Sequence, residues 1–419
     1  MTAENRQIGV LSRYSKLMKF EYPRIHLSDT KQIFAGQLCA GALSLIGTVL
    51  TARYCGPLVF GFCLTVILVL SVALDIVDFG ACSWSARELA SGRLSHEYYF
   101  KVMHLKTSTN LSYILIGPLI VYAFPHSHWS LMFIGIYPAL WVRTNYIQQF
   151  LIVKEQIFLA VRLQIIERAV WLLIIPFQML NINRWAAYIV PILTGLILHN
   201  FLGTRAISMF RVGQSNITEL DGSLFQKSKY IGFMSVITDV SSLDTLIVAR
   251  LSSLQSAASY GLAQRFRAPL LLGFTSFAKK LFPIAAAKNG STIRALYKQE
   301  KKFLLLNYIF LFSTSIFFYI FGESIFGYEF QSINLILALG VLVAIPSSFV
   351  EIASSFLVAT GSEHKVSKLY LISIPLTLLS VGITAQFQNV IGSVLALLIA
   401  KLIAGIFFYV AALKIWKEL

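Results

Sequence analysis

Apolar residues along this chain gather into blocks of about twenty, parted by short stretches rich in Lys, Arg, Ser, Asn and Gly. About twenty helical residues cross a bilayer core roughly 30 Å thick. Twelve such blocks can be marked, at 33–53, 57–78, 107–124, 129–150, 158–180, 185–204, 230–252, 258–281, 303–322, 334–358, 367–386 and 391–413. The stretch from Lys229 to Pro283 organises the rest: two apolar helices are joined by the uncharged turn SSLQSA, yet Asp239, Asp244, Arg265 and Arg267 lie at membrane depth. An ionisable residue there costs about 2.5–3.5 kcal/mol on insertion scales, so it is expected to face a cavity or a partner. The pattern predicts an all-α polytopic membrane protein with a charged, watery interior.

Composition agrees with that pattern. Of 419 residues, 57% are hydrophobic and 13% charged, and the mean hydropathy of +0.71 leaves too little polar surface for a soluble domain. A formal net charge of +16 would point to nucleic acid in a soluble protein. Here it follows the positive-inside rule: with both termini cytoplasmic, 26 Lys and Arg fall in inside segments and 3 in outside turns. Every outside connection is short, so no extracytoplasmic domain is expected. The basic N-terminus, with Ile8, Leu11, Tyr14 and Met18 near helical spacing, reads as an amphipathic segment on an anionic leaflet or as a plain orienting tail. It has no short apolar run with a small-residue cleavage site, so no signal peptide is expected. The expected organisation is a cytoplasmic N-terminal segment at 1–30, a six-helix bundle at 31–206, a cytoplasmic linker at 207–228 and a second six-helix bundle at 229–419. Cys39, Cys55, Cys63 and Cys82 lack C-x-x-C spacing and clustered His, so they are expected as small apolar filler, with no metal site.

The halves echo each other. Span 1 ends in Ala52-Arg53 and span 2 opens with Phe60-Gly61; span 7 ends in Ala249-Arg250 and span 8 opens with Tyr260-Gly261. Transporters are often built from two such related halves. The segments TARYCGPLVFG (Thr51 to Gly61), DFG (Asp78 to Gly80), SARELA (Ser85 to Ala90) and DTLIVARLSSLQSAASYGLAQRF (Asp244 to Phe266) resemble polysaccharide-biosynthesis flippases. These are the Wzx-type lipid-linked oligosaccharide exporters of the multidrug/oligosaccharidyl-lipid/polysaccharide superfamily. Cys55 stands where a bulkier aliphatic residue is common in that family. The resemblance implies a MATE-like arrangement of 6 + 6 helices in a bacterial inner membrane. It also implies an undecaprenyl-diphosphate-linked glycan as cargo, membrane lipids as surroundings, and a polysaccharide polymerase and chain-length regulator as partners.

Six cations lie within spans: Arg143, Arg162, Arg168, Arg265, Arg267 and Lys401. Unpaired in lipid they would together cost on the order of 15–20 kcal/mol. Arg162 is close enough to a span end to snorkel. Arg168, mid-span, adjoins Glu167, but sequence neighbours do not share a helix face, so a partner from elsewhere is expected. Arg265 and Arg267 diverge by about 200° on a helix; one is expected to line the lumen and the other to pair with Asp239 or Asp244. Arg143, Arg168, Arg265, Arg267 and Lys401 are the substrate-binding candidates, because guanidinium groups grip phosphate through paired charged hydrogen bonds; a structural ion pair is the rival role for each. Tyr146, Trp171, Tyr230 and Tyr260 are candidates for stacking on sugars, against a plain core or belt role. Asp239, Asp244, Glu167 and Glu351 could carry a coupling H+ or Na+, or serve only as partners for the cations. Asp78 and Arg87 read as a gate or a structural pair, and His199 as a satisfied polar group. Pro118, Pro138, Pro176, Pro191, Pro269, Pro346 and Pro375 are expected to kink their helices.

No Walker sequence G-x-x-x-x-G-K-[ST] occurs, and no soluble stretch is long enough to fold as an enzyme. The expected activity is therefore flipping of a diphosphate-linked oligosaccharide by alternating access, with no cofactor beyond the coupling ion. The alternatives are a cation-coupled multidrug exporter of the same superfamily, a lipid II flippase, whose family resembles a fourteen-span pattern, and a membrane-embedded polysaccharide polymerase.

Overall fold

The computed structural model describes residues 29–90, 94–123, 129–154, 156–208, 224–286, 290–330, 332–387 and 389–418. The expected N-terminal amphipathic segment and most of the linker at 207–228 lie outside them. Among the described residues all regular structure is helical. The first half of the chain holds α1 (Asp29–Asp78), α2 (Ala81–Ala90), α3 (His96–Leu111), α4 (Ile116–Ala123), α5 (Tyr137–Val153), α6 (Ile157–Ala169), α7 (Ile174–Met179) and α8 (Arg184–Ser208). The second holds α9 (Leu224–Val240), α10 (Asp244–Leu251), α11 (Leu254–Leu270), α12 (Leu272–Ala286), α13 (Gly290–Phe326), α14 (Ile333–Leu342), α15 (Ala344–Ala359), α16 (Glu363–Gln386) and α17 (Val390–Glu418). Grouped across their breaks, these helices follow the twelve predicted spans, six in each half of the fold.

Most of the breaks share a cause, a nearby proline; the 3-10 turn Ser241–Leu243, which parts α9 from α10 in span 7, has none. Seven helical stretches among the described residues are long and apolar enough to cross a membrane, and the first, Gly36–Asp78, carries both span 1 and span 2. Spans 3, 4, 5, 7, 8 and 10 are interrupted. Ser112–Leu115, Trp129–Ile136 and Val170–Leu173 wind as 3-10 turns just before Pro118, Pro138 and Pro176, and α14 gives way to α15 just before Pro346. A proline cannot donate to the carbonyl four residues back and crowds it, so the turn preceding the ring tightens or opens. In span 8 the break at Leu271 follows Pro269 instead, while Pro191 and Pro375 sit inside the unbroken α8 and α16. The helices are thus interrupted beside five of these prolines and run on through Pro191 and Pro375.

Within α1 the chain turns at Gly56 (φ 75, ψ 167), a conformation open only to glycine, and Pro57 begins the next span. This accounts for Cys-Gly-Pro in the sequence. The turn is pinned from outside: the Tyr54 hydroxyl donates to the Ile182 carbonyl, and the Cys55 thiol to the Arg184 carbonyl at 3.2 Å.

The echoed glycines meet across the seam between the halves. A Cβ on Gly61 of α1 would run into the Leu254 carbonyl at the start of α11, and one on Gly261 of α11 would meet the Leu64 side chain of α1. Phe60 and Tyr260, their sequence neighbours, are fully buried. Two membrane helices gain no hydrophobic drive from leaving lipid, so close backbone approach through small residues is what holds them together. The main core runs through this seam into α8 and α13–α17, and a second core around Tyr99, Tyr146 and Phe150 fills the first half.

Candidate functional site

Spans 1, 2, 5, 7, 8 and 12 bring Arg168, Asp244, Arg265, Arg267 and Lys401 to two adjoining cavities. The first, about 430 Å³, lies between the halves and is lined by Gln37, Ser44 and Thr48 of α1, Gln164 and Arg168 of α6, Trp171, and Arg265 of α11. The second, about 250 Å³, is lined by Leu64 and Leu68 of α1, Ser241 and Ser242, Asp244 of α10, Gln264, Arg265 and Arg267 of α11, and Lys401 of α17. Arg265 and Ala268 belong to both. Gly261, Gln264, Arg265 and Ala268 recur at helical spacing and form one face of α11 turned to this space. A stripe of small and polar residues on an otherwise apolar span is the sequence signal that marks such a lumen face.

Arg168 projects into the first cavity with its guanidinium over the Trp171 ring at 4.8 Å, and it lies 3.5 Å from the Glu167 carboxylate. That pair corrects the expectation that sequence neighbours cannot meet. Both side chains are long, and α6 passes into a tightened 3-10 turn two residues later, so the heads converge although their Cα positions are about 100° apart. Glu167 is buried and its other oxygen lies 2.8 Å from His199 Nδ1. His199 is thus satisfied at Nδ1, as expected of a buried polar group, but its buried Nε2 has no hydrogen-bond partner among the described residues. Across the cavity Arg265 donates to the Tyr188 hydroxyl at 3.0 Å and lies over the Phe60 ring.

The second cavity overturns the expected division of labour on span 8. Both Arg265 and Arg267 line it, because the space follows α11 round from α1 to α10 and α17. Neither forms an ion pair with Asp239 or Asp244 among the described residues. Asp244, 2% exposed, is held by neutral donors instead: Tyr260 Oη at 2.7 Å, Gln264 Nε2 at 2.8 Å and the Thr245 amide at 2.6 Å. Hydrogen bonds to an ionised acceptor are stronger than neutral ones, so three of them stabilise a buried carboxylate without a cation in contact. Arg267 Nη1 is buried with no hydrogen-bond partner, and Lys401 has no carboxylate within 4.0 Å, among the described residues. Gln264 and Tyr188, which the sequence did not single out, hydrogen-bond Asp244 and Arg265, and the Tyr260 hydroxyl is taken up by the Asp244 carboxylate.

Other expected site residues lie elsewhere. Arg143 donates to Thr204 at 3.0 Å inside the first half, and Arg162 caps the Phe158 ring at 3.8 Å. Asp239 and Glu351 line neither cavity. Asp78 and Arg87 do not pair: Asp78 accepts from Tyr146 Oη at 3.0 Å and the Cys82 amide at 3.1 Å, whereas Arg87, 63% exposed, reaches Glu88 at 3.4 Å. The positive φ of Phe79 and Gly80 turns the chain between α1 and α2 and separates them. Tyr146 is thereby committed to the core, and the Tyr230 side chain lies outside the described residues. No group of three His, Cys, Asp or Glu suited to a metal occurs among the described residues.

No protein-family model matches the sequence, and no curated protein does. Solved structures match over almost the full chain. A structure of a MATE-family multidrug resistance transporter of the MOP superfamily in its outward-facing conformation aligns at TM-score 0.67 and 12% identity, covering 93% of this chain and 96% of its own. A MOP-superfamily transporter from Pyrococcus furiosus, described as having a binding pocket of reverse polarity that suggests a different function, aligns at TM-score 0.66 and 11% identity, covering 93% and 95%. The Vibrio cholerae MATE transporter VcmN in its bent form aligns at TM-score 0.59 and 16% identity, covering 93% and 97%. With twelve spans arranged as in these proteins, the chain has the fold of the MATE transporters.

Proposed function

We propose that this protein is a flippase that moves a lipid-linked oligosaccharide, carried on a polyprenyl diphosphate, across a bacterial inner membrane by alternating access. The observation that carries the reading is the charge at the join of the two cavities. Arg168 and Arg265 face one space from opposite halves, and Arg267 and Lys401 extend the positive field with no carboxylate in contact among the described residues. Uncompensated cations at membrane depth are costly unless an anion visits them. A diphosphate meets that need through bidentate guanidinium contacts, while Gln37, Gln164, Ser44 and Thr48 offer hydrogen bonds to hydrated groups. Because the cations come from both halves, the cargo itself joins the halves when bound. Asp244, or Glu167 with His199, is the carboxylate for a coupling H+ or Na+. Both termini are cytoplasmic in this reading.

The test is genetic and chemical together. Deleting the gene is expected to leave lipid-linked repeat units on the cytoplasmic side and to remove surface polysaccharide. Unchanged surface polysaccharide would reject the reading. A multidrug exporter is the second reading, favoured by the fold shared with multidrug MATE proteins. It predicts raised susceptibility to cationic drugs on deletion with surface glycan intact. A lumen with four cations against two buried carboxylates, Glu167 and Asp244, is poorly matched to a cationic drug.

A further inference from the structure

A crevice of about 500 Å³ opens on the second half, away from the charged cavities, between α12, α13, α15 and α17. Its wall is aromatic: Tyr297 and Tyr308 of α13, Phe349 and Phe356 of α15, and Trp416 of α17, with Arg294 at one end. These rings brace one another. Tyr297 and Phe356 both pack on Trp416, at 6.1 and 5.9 Å between centroids, and Tyr308 stacks on Phe349 at 6.1 Å. Tyr308 Oη is held to the Ser348 hydroxyl at 3.1 Å, so the polar tip of this ring is satisfied inside the protein. Phe349 and Tyr297 are nonetheless 41% and 40% exposed, so the crevice is open at its side.

The register of α13 places the crevice in one leaflet. Arg294 and Tyr297 precede span 9, whereas Tyr308 lies inside it. From Arg294 to Tyr308 the helix rises about 21 Å at 1.5 Å per residue, against roughly 15 Å for the hydrocarbon of one leaflet. The crevice thus runs from headgroup level into the acyl region. Trp and Tyr at the mouth suit the interface, and Arg294, exposed and followed on the same helix by Lys298, Lys301 and Lys302, supplies positive charge there. Among the described residues no acidic side chain lines the crevice.

We infer that this crevice is a binding site for an anionic phospholipid, its phosphodiester on Arg294 and one acyl chain along the aromatic wall. A single guanidinium matches a single phosphate, whereas the diphosphate of the proposed cargo calls for the cation cluster of the central cavities. The inference stands apart from the proposed cargo and can fail separately from it. The experiment is native mass spectrometry of the full chain in detergent, titrated with phosphatidylglycerol and, separately, phosphatidylcholine. The expected result is at least tenfold tighter retention of one phosphatidylglycerol, loss of that preference in Arg294→Gln, and loss of both adducts in Ala353→Trp, which fills the crevice. Unchanged melting temperatures would establish that both variants are folded; if Ala353→Trp fails to fold, Arg294→Gln alone decides. Equal retention of the two lipids, preference surviving in Arg294→Gln, or displacement of phosphatidylglycerol by equimolar polyprenyl phosphate would each overturn the assignment.

Discussion

At the scale of single residues, the four central cations differ in what already holds them. Arg168 has Glu167 and two indole faces, Arg265 has Tyr188, Arg267 leaves its buried Nη1 without a hydrogen bond, and Lys401 has no carboxylate within 4.0 Å among the described residues. Arg168 and Arg265 are the pair placed on opposite halves, so they decide whether the cargo can link the two. Arg168→Ala or Arg265→Ala is expected to reduce export at least tenfold at normal protein level, and Arg→Lys to preserve part of it, because an ammonium keeps the charge but not the paired hydrogen bonds. Surface-glycan labelling with quantified protein in the membrane checks this. Full activity in both alanine variants would assign the two arginines to bracing helices.

At the scale of elements, the seam between α1 and α11 rests on two glycines that are not equivalent. A Cβ on Gly61 meets a backbone carbonyl, which cannot move without shifting the start of α11. A Cβ on Gly261 meets the end of the Leu64 side chain, which can turn aside. Overpacking costs about 1–3 kcal/mol where the neighbour cannot yield. Gly61→Ala is therefore expected to lower the unfolding midpoint clearly, and Gly261→Ala much less, in thermal melts of the purified protein in one detergent. Equal shifts would mean that the seam adjusts as a whole.

At the scale of the whole molecule, alternating access requires the halves to separate on one side at a time. Gly41 of α1 and Pro269 of α11 touch at the edge of the first cavity, with 3.7 Å between the Pro269 Cβ and the position a Gly41 Cβ would take. That spacing lies inside the range for a disulfide. With Cys39, Cys55, Cys63 and Cys82 replaced, the double variant Gly41→Cys and Pro269→Cys is expected to lose transport under an oxidant and to regain it with dithiothreitol. Transport that is indifferent to oxidation, with the cross-link shown by mass spectrometry, would mean that these two positions keep their spacing through the cycle.

The helical class, the twelve spans and the presence of a charged interior were legible in the chain because each follows from local facts: block length, hydropathy and the cost of charge in lipid. The echo of Phe60-Gly61 in Tyr260-Gly261 was visible in the chain, but its reason, the close approach of α1 and α11 at both glycines, was not. Pairing was not legible. Glu167 with both Arg168 and His199, Asp244 with Tyr260 and Gln264, and Asp78 with Tyr146 rather than Arg87 depend on side-chain reach and on which helices adjoin. Helical periodicity states the direction in which a residue leaves its own axis. Only packing decides what stands opposite, and thus which buried charges were met by donors and which were left facing an empty space.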